Sequence, residues 1–241
     1  AMAKVKKSSV ILTCLLLVLL CGVLFYIEGN ASKYIIRITR LCAINIVLAL
    51  SMNLVNGFTG IFSLGHAGFM AIGAYSVALL TIPVAKKETI FMLEPLIAPL
   101  NTLTLPFGVA LIIGGLLAAA LAFLIGLPCL RLRGDYLAIA TLGFSEIIRI
   151  VITNAQCLTN GAQGLKSIPA TANIWWCYGI ALATIIFIAL LISSSYGRAF
   201  KAIREDEIAA ESMGVSLLRH KMLSFMLSAF LAAVGGGLFA S

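Results

Sequence analysis

Charge is what this sequence has least of. Only 11% of its 241 residues are Asp, Glu, Lys or Arg, against 61% hydrophobic ones, and the mean hydropathy is +1.10. Charged residues make up about a quarter of an ordinary soluble domain, so a soluble fold is excluded. Histidine occurs only as His66 and His220, which gives imidazole-based catalysis little to work with. There is no HExxH helix or paired-histidine spacing to bind zinc and no GxxxxGK[ST] loop to cradle phosphate. The cysteines Cys14, Cys21, Cys42, Cys129, Cys157 and Cys177 include no CxxC pair and fall mostly in apolar runs. They read as small packing residues rather than disulfide or metal ligands. The net charge of +8 would suit nucleic acid, but the basic residues border apolar runs instead of clustering with aromatics. The reading that remains is an all-α polytopic transmembrane helical bundle in contact with lipid, with no enzyme activity, cofactor or metal site of its own.

What is abundant is apolar sequence, in runs near the roughly 20 residues that cross a hydrocarbon core as a helix. Residues 10–27 follow Lys4, Lys6 and Lys7 and read as a retained first span, because no small-residue cleavage site precedes Glu28. The second covers 35–55, with Arg37 and Arg40 placed to snorkel. A third ends near Pro83, a fourth covers 106–130, a fifth 136–153 and a sixth 174–192, opening on Trp175 and Trp176 at the interfacial belt. A seventh starts at Met222. Residues 84–105, with Lys86, Lys87, Glu88 and Glu94, read as a loop with a short interfacial helix. Alternating about seven spans from a cytoplasmic N-terminus puts Lys4 to Lys7, Arg131 with Arg133, and residues 193–221 on one side, in accord with the positive-inside rule.

The apolar pattern is interrupted in three places. Residues 56–75 carry Gly57, Gly60, Gly65, Gly68 and Gly73. Such spacing either lets helices pack closely or marks a discontinuous third span whose irregular backbone lines a pathway. The polar residues Asn53, Asn56, Thr59, Ser63 and His66 would then face that pathway, although a structural hydrogen bond explains His66 as well. In the fifth span, Glu146 and Arg149 lie one turn apart, either as a polar lining of a transport route or as a structural ion pair. The third interruption, residues 193–221, holds four of the nine acidic and five of the seventeen basic residues. Its middle, 204–214, reads as a short amphipathic helix with Ile203, Ala210 and Met213 near one face. Such a helix in water offers itself to a partner.

Four stretches carry a family resemblance: NLVNGFTGIFSLGHAGFMAIGAY, LRGDYLAIATLGFSEIIR, LTNGAQGLKSIP and IREDEIAAESMGVSLLRHK. From about Asn45 onward the chain resembles the permeases of branched-chain amino-acid ABC importers, of the LivM type. The resemblance implies a single permease domain over 1–241 with a cytoplasmic coupling loop at 193–221, in a bacterial cytoplasmic (inner) membrane. It implies separate ABC ATPase subunits carrying ATP and Mg, a second related permease subunit and a periplasmic or extracytoplasmic solute-binding protein. The family's coupling motif, EAA then three residues and Gly, falls on residues 208–214. The coupling residues are therefore Arg204, Glu205, Asp206, Glu207, Ala209, Ala210, Glu211 and Gly214. Ile208 stands where the general motif has Glu, and residues 159–164 depart from the family's Gly-Gly-Pro-Asn-Gly run. Family members continue through further spans beyond the position of Ser241, which leaves a fragment or a short member. Permeases for urea or short amides are a close alternative solute class, and a proton-coupled secondary transporter using Glu146 is the alternative mechanism.

Overall fold

A computed structural model describes residues 7–84, 87, 103–132, 134–165, 168–169 and 171–241. Its helices are α1 (Lys7–Asn30), α2 (Lys33–Asn53), α3 (His66–Thr81), α4 (Phe107–Cys129), α5 (Asp135–Asn154), the single turn α6 (Gln156–Thr159), α7 (Ile174–Ser193), α8 (Ser195–Glu205), α9 (Glu207–Ser212) and α10 (Leu217–Ala240). A π-helical turn, Leu54–Phe58, extends α2, and a short 3-10 turn, Gly161–Gln163, follows α6. No strand occurs among the described residues. That follows from the composition, since a segment crossing lipid must satisfy its own backbone polar groups and a helix does so internally.

Five segments are long and apolar enough to cross a membrane: Lys33–Phe58, Phe107–Cys129, Asp135–Asn154, Ile174–Ser193 and Leu217–Ala240. Two further apolar helical stretches, Leu15–Gly29 and His66–Thr81, are shorter among the described residues. The expected loop and interfacial helix at 84–105 lie mostly outside the described residues, as do Arg133 and Lys166. Lys87 is buried and donates from Nζ to the Leu103 carbonyl at 2.7 Å.

The core is organised around α10, which packs against α2, α3 and α4 and from Met222 onward is apolar or small on every side. Where α10 meets α3, the two backbones touch. A Cβ on Gly73 would lie 2.1 Å from the Ala233 carbonyl oxygen, and one on Gly236 would lie 2.0 Å from that of Met70. Side-chain packing resumes toward one end of this contact, where Phe69 and Phe225 meet edge to face at 5.5 Å. Cys129 and Cys177 are buried free thiols within the core, as their apolar context predicts, while Cys21 and Cys42 are free and exposed. The outer faces of α4, α5 and α7 expose Leu116, Leu124, Ile139, Ile150, Ile186 and Leu190, the surface a bilayer requires. The indole Nε1 of Trp175, at the start of α7, donates to Glu28 Oε2 near the end of α1 at 2.6 Å. These two ends therefore lie together at one end of the bundle.

Candidate functional site

The glycine-rich stretch connects two helices, and the two readings of it divide along its length. At its start, the Asn53 side chain lies over Gly57, where a Cβ would come within 1.9 Å of Oδ1. The π turn is closed by the Ile61 amide donating to the Val55 carbonyl at 3.1 Å and by the buried Thr59 hydroxyl donating to the Leu54 carbonyl at 3.0 Å. Gly60 then takes a left-handed φ of 73°. Beyond it the chain runs extended: Ile61 and Ser63 turn inward while Phe62 and Leu64 turn outward, the alternation of a strand-like backbone. Helix resumes at His66, and from there the glycines serve packing, with Gly68 set against the Ser145 backbone of α5.

This non-helical run carries backbone donors that need partners at depth. The Ser63 amide donates to Asn56 Oδ1 at 3.3 Å, and the Leu64 amide donates to Thr141 Oγ1 of α5 at 3.1 Å. Asn56, Ser63 and His66 therefore come together, with Met52, Val55, Phe69, Phe225 and Ser228, around a cavity of about 10 Å³. That is room for about one water molecule. The Ser51 hydroxyl donates to the Leu48 carbonyl at 2.8 Å and is left to accept from His66 Nε2 at 2.9 Å. Ser228 of α10 donates to the Ser51 carbonyl at 2.8 Å. Three helices are thus pinned at one polar point. Of the pathway candidates, Asn53 is exposed and Thr59 is committed to its own turn.

Glu146 and Arg149 lie elsewhere, on the outward face of α5. Arg149 Nε donates to both Glu146 carboxylate oxygens at 3.0 Å, and Nη2 pairs with Oε1 as well. The two side chains are 51% and 70% exposed, with Ile139, Leu142, Ile147 and Ile150 exposed beside them. An ion pair on an otherwise apolar face of a spanning helix calls for a polar neighbour rather than lipid.

The charged segment is two helices rather than the single amphipathic helix its periodicity predicts over 204–214. Asp206 breaks it. Its backbone is extended, and its Oδ1 accepts from the amides of Ile208 at 2.8 Å and Ala209 at 3.1 Å. This N-cap satisfies donors that a continuous helix would have bonded internally. The kink turns Phe200, Ile203 and Ala210 inward and leaves Ile208 72% and Met213 85% exposed. Met213 therefore does not share the buried face expected for it. Ala209 and Glu211 stand exposed beside them. At the end of α9, Gly214 adopts φ 85°, and the Val215 amide donates to the Ala210 carbonyl at 3.0 Å, a left-handed helix stop.

Glu207 does not point away from the protein. It accepts from Nζ of the buried Lys221 at 2.6 Å and ties α9 to α10. Arg204 pairs with Glu205 at 2.5 Å and donates from Nη1 to the Gly57 carbonyl at 3.2 Å. His220 is wedged beside the rings of Tyr196 and Phe200, with centroids at 6.1 and 6.3 Å, and its Nδ1 donates to the Ser216 carbonyl at 2.9 Å. Sequence reasoning passed over Ser51, Ser228 and Thr141, whose signal was a hydroxyl inside an apolar run. It also passed over Lys221, a cation at the mouth of a span.

Beside known proteins, a family model described as branched-chain amino acid transport system / permease component matches residues 34–241. The chain is 37% identical to the high-affinity branched-chain amino acid transport system permease protein LivM of Escherichia coli (strain K12), over 87% of this chain and 53% of that protein. It is 36% identical to the protein of the same name from Salmonella typhimurium, over 87% and 53%. It is 29% identical to the autoinducer 2 import system permease protein LsrC of Klebsiella pneumoniae, over 46% and 33%. The chain spans about half the length of the first two relatives. No solved structure matches it at a significant level.

Proposed function

Because the chain belongs to the branched-chain amino acid transport permease family, we propose that it moves a branched-chain amino acid inward across a bacterial inner membrane, driven by ATP hydrolysis on a separate subunit. The observation that supports this beyond the family is the α8–α9 pair. It stands outside the spans and presents Ile208, Ala209, Glu211 and Met213 together on a kinked, capped surface. Two exposed apolar side chains beside a carboxylate make a surface suited to a groove on a cytoplasmic ATPase, where ATP and Mg would be held. Ile208 supplies apolar contact where the general motif places an acid. Gly214 ends the surface, and Arg204 and Glu207 fix it to the bundle.

In this reading the chain crosses the membrane about seven times from a cytoplasmic N-terminus. A second related permease faces the α5 surface that carries Glu146 and Arg149, and the solute passes between the two. Asn56, Ser63 and His66 lie at the turn that closes the near end of that route. A periplasmic binding protein delivers the solute and carries out its first recognition. A role for Glu146 as a lone proton carrier is disfavoured by its bidentate engagement with Arg149.

The test is reconstitution of the protein with the ATPase, second permease and binding protein that co-purify with it. ATP-dependent uptake of radiolabelled leucine, isoleucine or valine is expected, with urea and acetamide as competing solutes. Uptake that persists without the ATPase and collapses with the proton gradient refutes the mechanism. Transport of urea alone refutes the solute.

A further inference from the structure

We propose that Arg204 is the positioning residue that passes movement of the docked segment to the break between α2 and α3, and from there to α5. The inference rests on the reading that α9 docks an ATPase, and it names the route by which docking reaches the membrane.

Two independent contacts converge on Arg204. Its Nη1 donates to the Gly57 carbonyl at 3.2 Å, supplying a partner where the helix ends and leaves carbonyls without intrahelical donors. Its backbone lies beneath Gly60, where an added Cβ would fall 3.1 Å from Arg204 Cα and 2.8 Å from its Cγ. The positive φ of Gly60 and this lack of room each exclude a side chain there. Glu205 engages the rest of the guanidinium, through Nε at 3.2 Å and Nη2 at 2.5 Å, leaving Nη1 directed at the Gly57 carbonyl. α8 itself is anchored by the buried Phe200 and Ile203 and cannot shift without carrying Arg204 along.

Beyond Gly57 and Gly60 the route alternates chain neighbours with hydrogen bonds. Asn56, the neighbour of Gly57, accepts from the Ser63 amide, and the next amide, of Leu64, donates to Thr141 of α5. Thr141 is one to two turns before Glu146 on the same helix. A displacement of α8 therefore reaches the polar cavity first and the charged face of α5 second, through backbone amides held by the short side chains of Asn56 and Thr141.

The experiment uses the full-length permease assembled with its ATPase and reconstituted in vesicles, in a cysteine-free background carrying Phe62→Cys as reporter. Phe62 is 56% exposed on the extended run. A water-soluble maleimide is applied with and without ATP and vanadate. In the parent, nucleotide is expected to change the labelling rate. Arg204→Ala is expected to retain the ATPase on co-purification yet reduce that change about tenfold, the factor a charge-assisted hydrogen bond commands. Arg204→Gln, whose amide can still donate to the Gly57 carbonyl, is expected to restore part of it. An unaltered nucleotide response in an assembled Arg204→Ala complex overturns the inference. Should the alanine variant release the ATPase, the glutamine variant decides, and a nucleotide response equal to the parent's in an assembled Arg204→Gln complex also overturns it. The docking reading is checked separately with Arg204 intact, by cross-linking Glu211→Cys to the ATPase. No cross-link there removes the premise and the inference with it.

Discussion

Glu207 and Lys221 make the most exacting test of the structure. Nζ of Lys221 sits 2.6 Å from the carboxylate, with the lysine side chain 8% exposed and the glutamate side chain 41% exposed. Replacing Glu207 with Gln leaves an ammonium in a buried place with a weak neutral acceptor. Removing one partner of a fully buried pair costs about 3 to 5 kcal/mol, and an exposed pair is worth about 1 kcal/mol or less. With one partner buried and the other open to water, E207Q should cost about 2 kcal/mol. For a chain of this size that lowers the melting temperature by about 4 to 8 °C. K221M keeps the stem and discards the charge, so the double variant E207Q/K221M should recover most of the loss, to within about 1 kcal/mol of the parent. Thermal unfolding in detergent, followed by a thiol-reactive dye at the buried cysteines, measures all of these on one protein. If E207Q melts with the parent, or if K221M fails to rescue it, the pair is not holding α9 to α10.

Three further outcomes follow from the same geometry. Asp206→Ala removes the cap of α9 and should cost about 1 kcal/mol, with Asp206→Asn recovering most of it, read from the same melting curves. Ser51→Ala takes away the hydroxyl that accepts from His66 and should cost about 2 kcal/mol, whereas Ser228→Ala removes only a donor and should cost about 1 kcal/mol. Gly236→Ala places a methyl 2.0 Å from the Met70 carbonyl oxygen. It should cost about 3 kcal/mol or more, seen as loss of the monodisperse peak on size-exclusion chromatography.

The all-helical fold was legible because composition leaves a membrane chain almost no other choice, and the positions of the five long apolar segments followed from run length. The break between α2 and α3 was half legible. Glycine density announced it, but the same glycines also serve packing, and only the three-dimensional arrangement assigns Gly60 to the turn and Gly73 to the helix contact. Periodicity predicts one helix over 204–214 because it counts apolar positions and is blind to a cap. Asp206 can bond two amides only by leaving the helix, and that local gain overrode the pattern. The tie of Glu207 to the bundle is not legible because its partner is fourteen residues away along the chain. The role of Arg204 was hidden for the same reason, since its acceptor is a backbone carbonyl 147 positions earlier. A main-chain group leaves no mark in the sequence.

Where α3 and α10 meet at Gly73 and Gly236, no side chain stands between them to swing aside, so the two helices have a single seating. A slide in either direction drives a larger residue into the opposing backbone, which makes the pair one stiff rod. Sixteen residues of α3 at about 1.5 Å each give that rod a length of about 24 Å. It begins at His66, beside the cavity, and its later turns carry Tyr75 and Ala78, which border Gly164 and Leu165 in a cleft of about 220 Å³. A tilt imposed at His66 would arrive undiminished at those turns. The cavity and the cleft could then not change shape independently of each other.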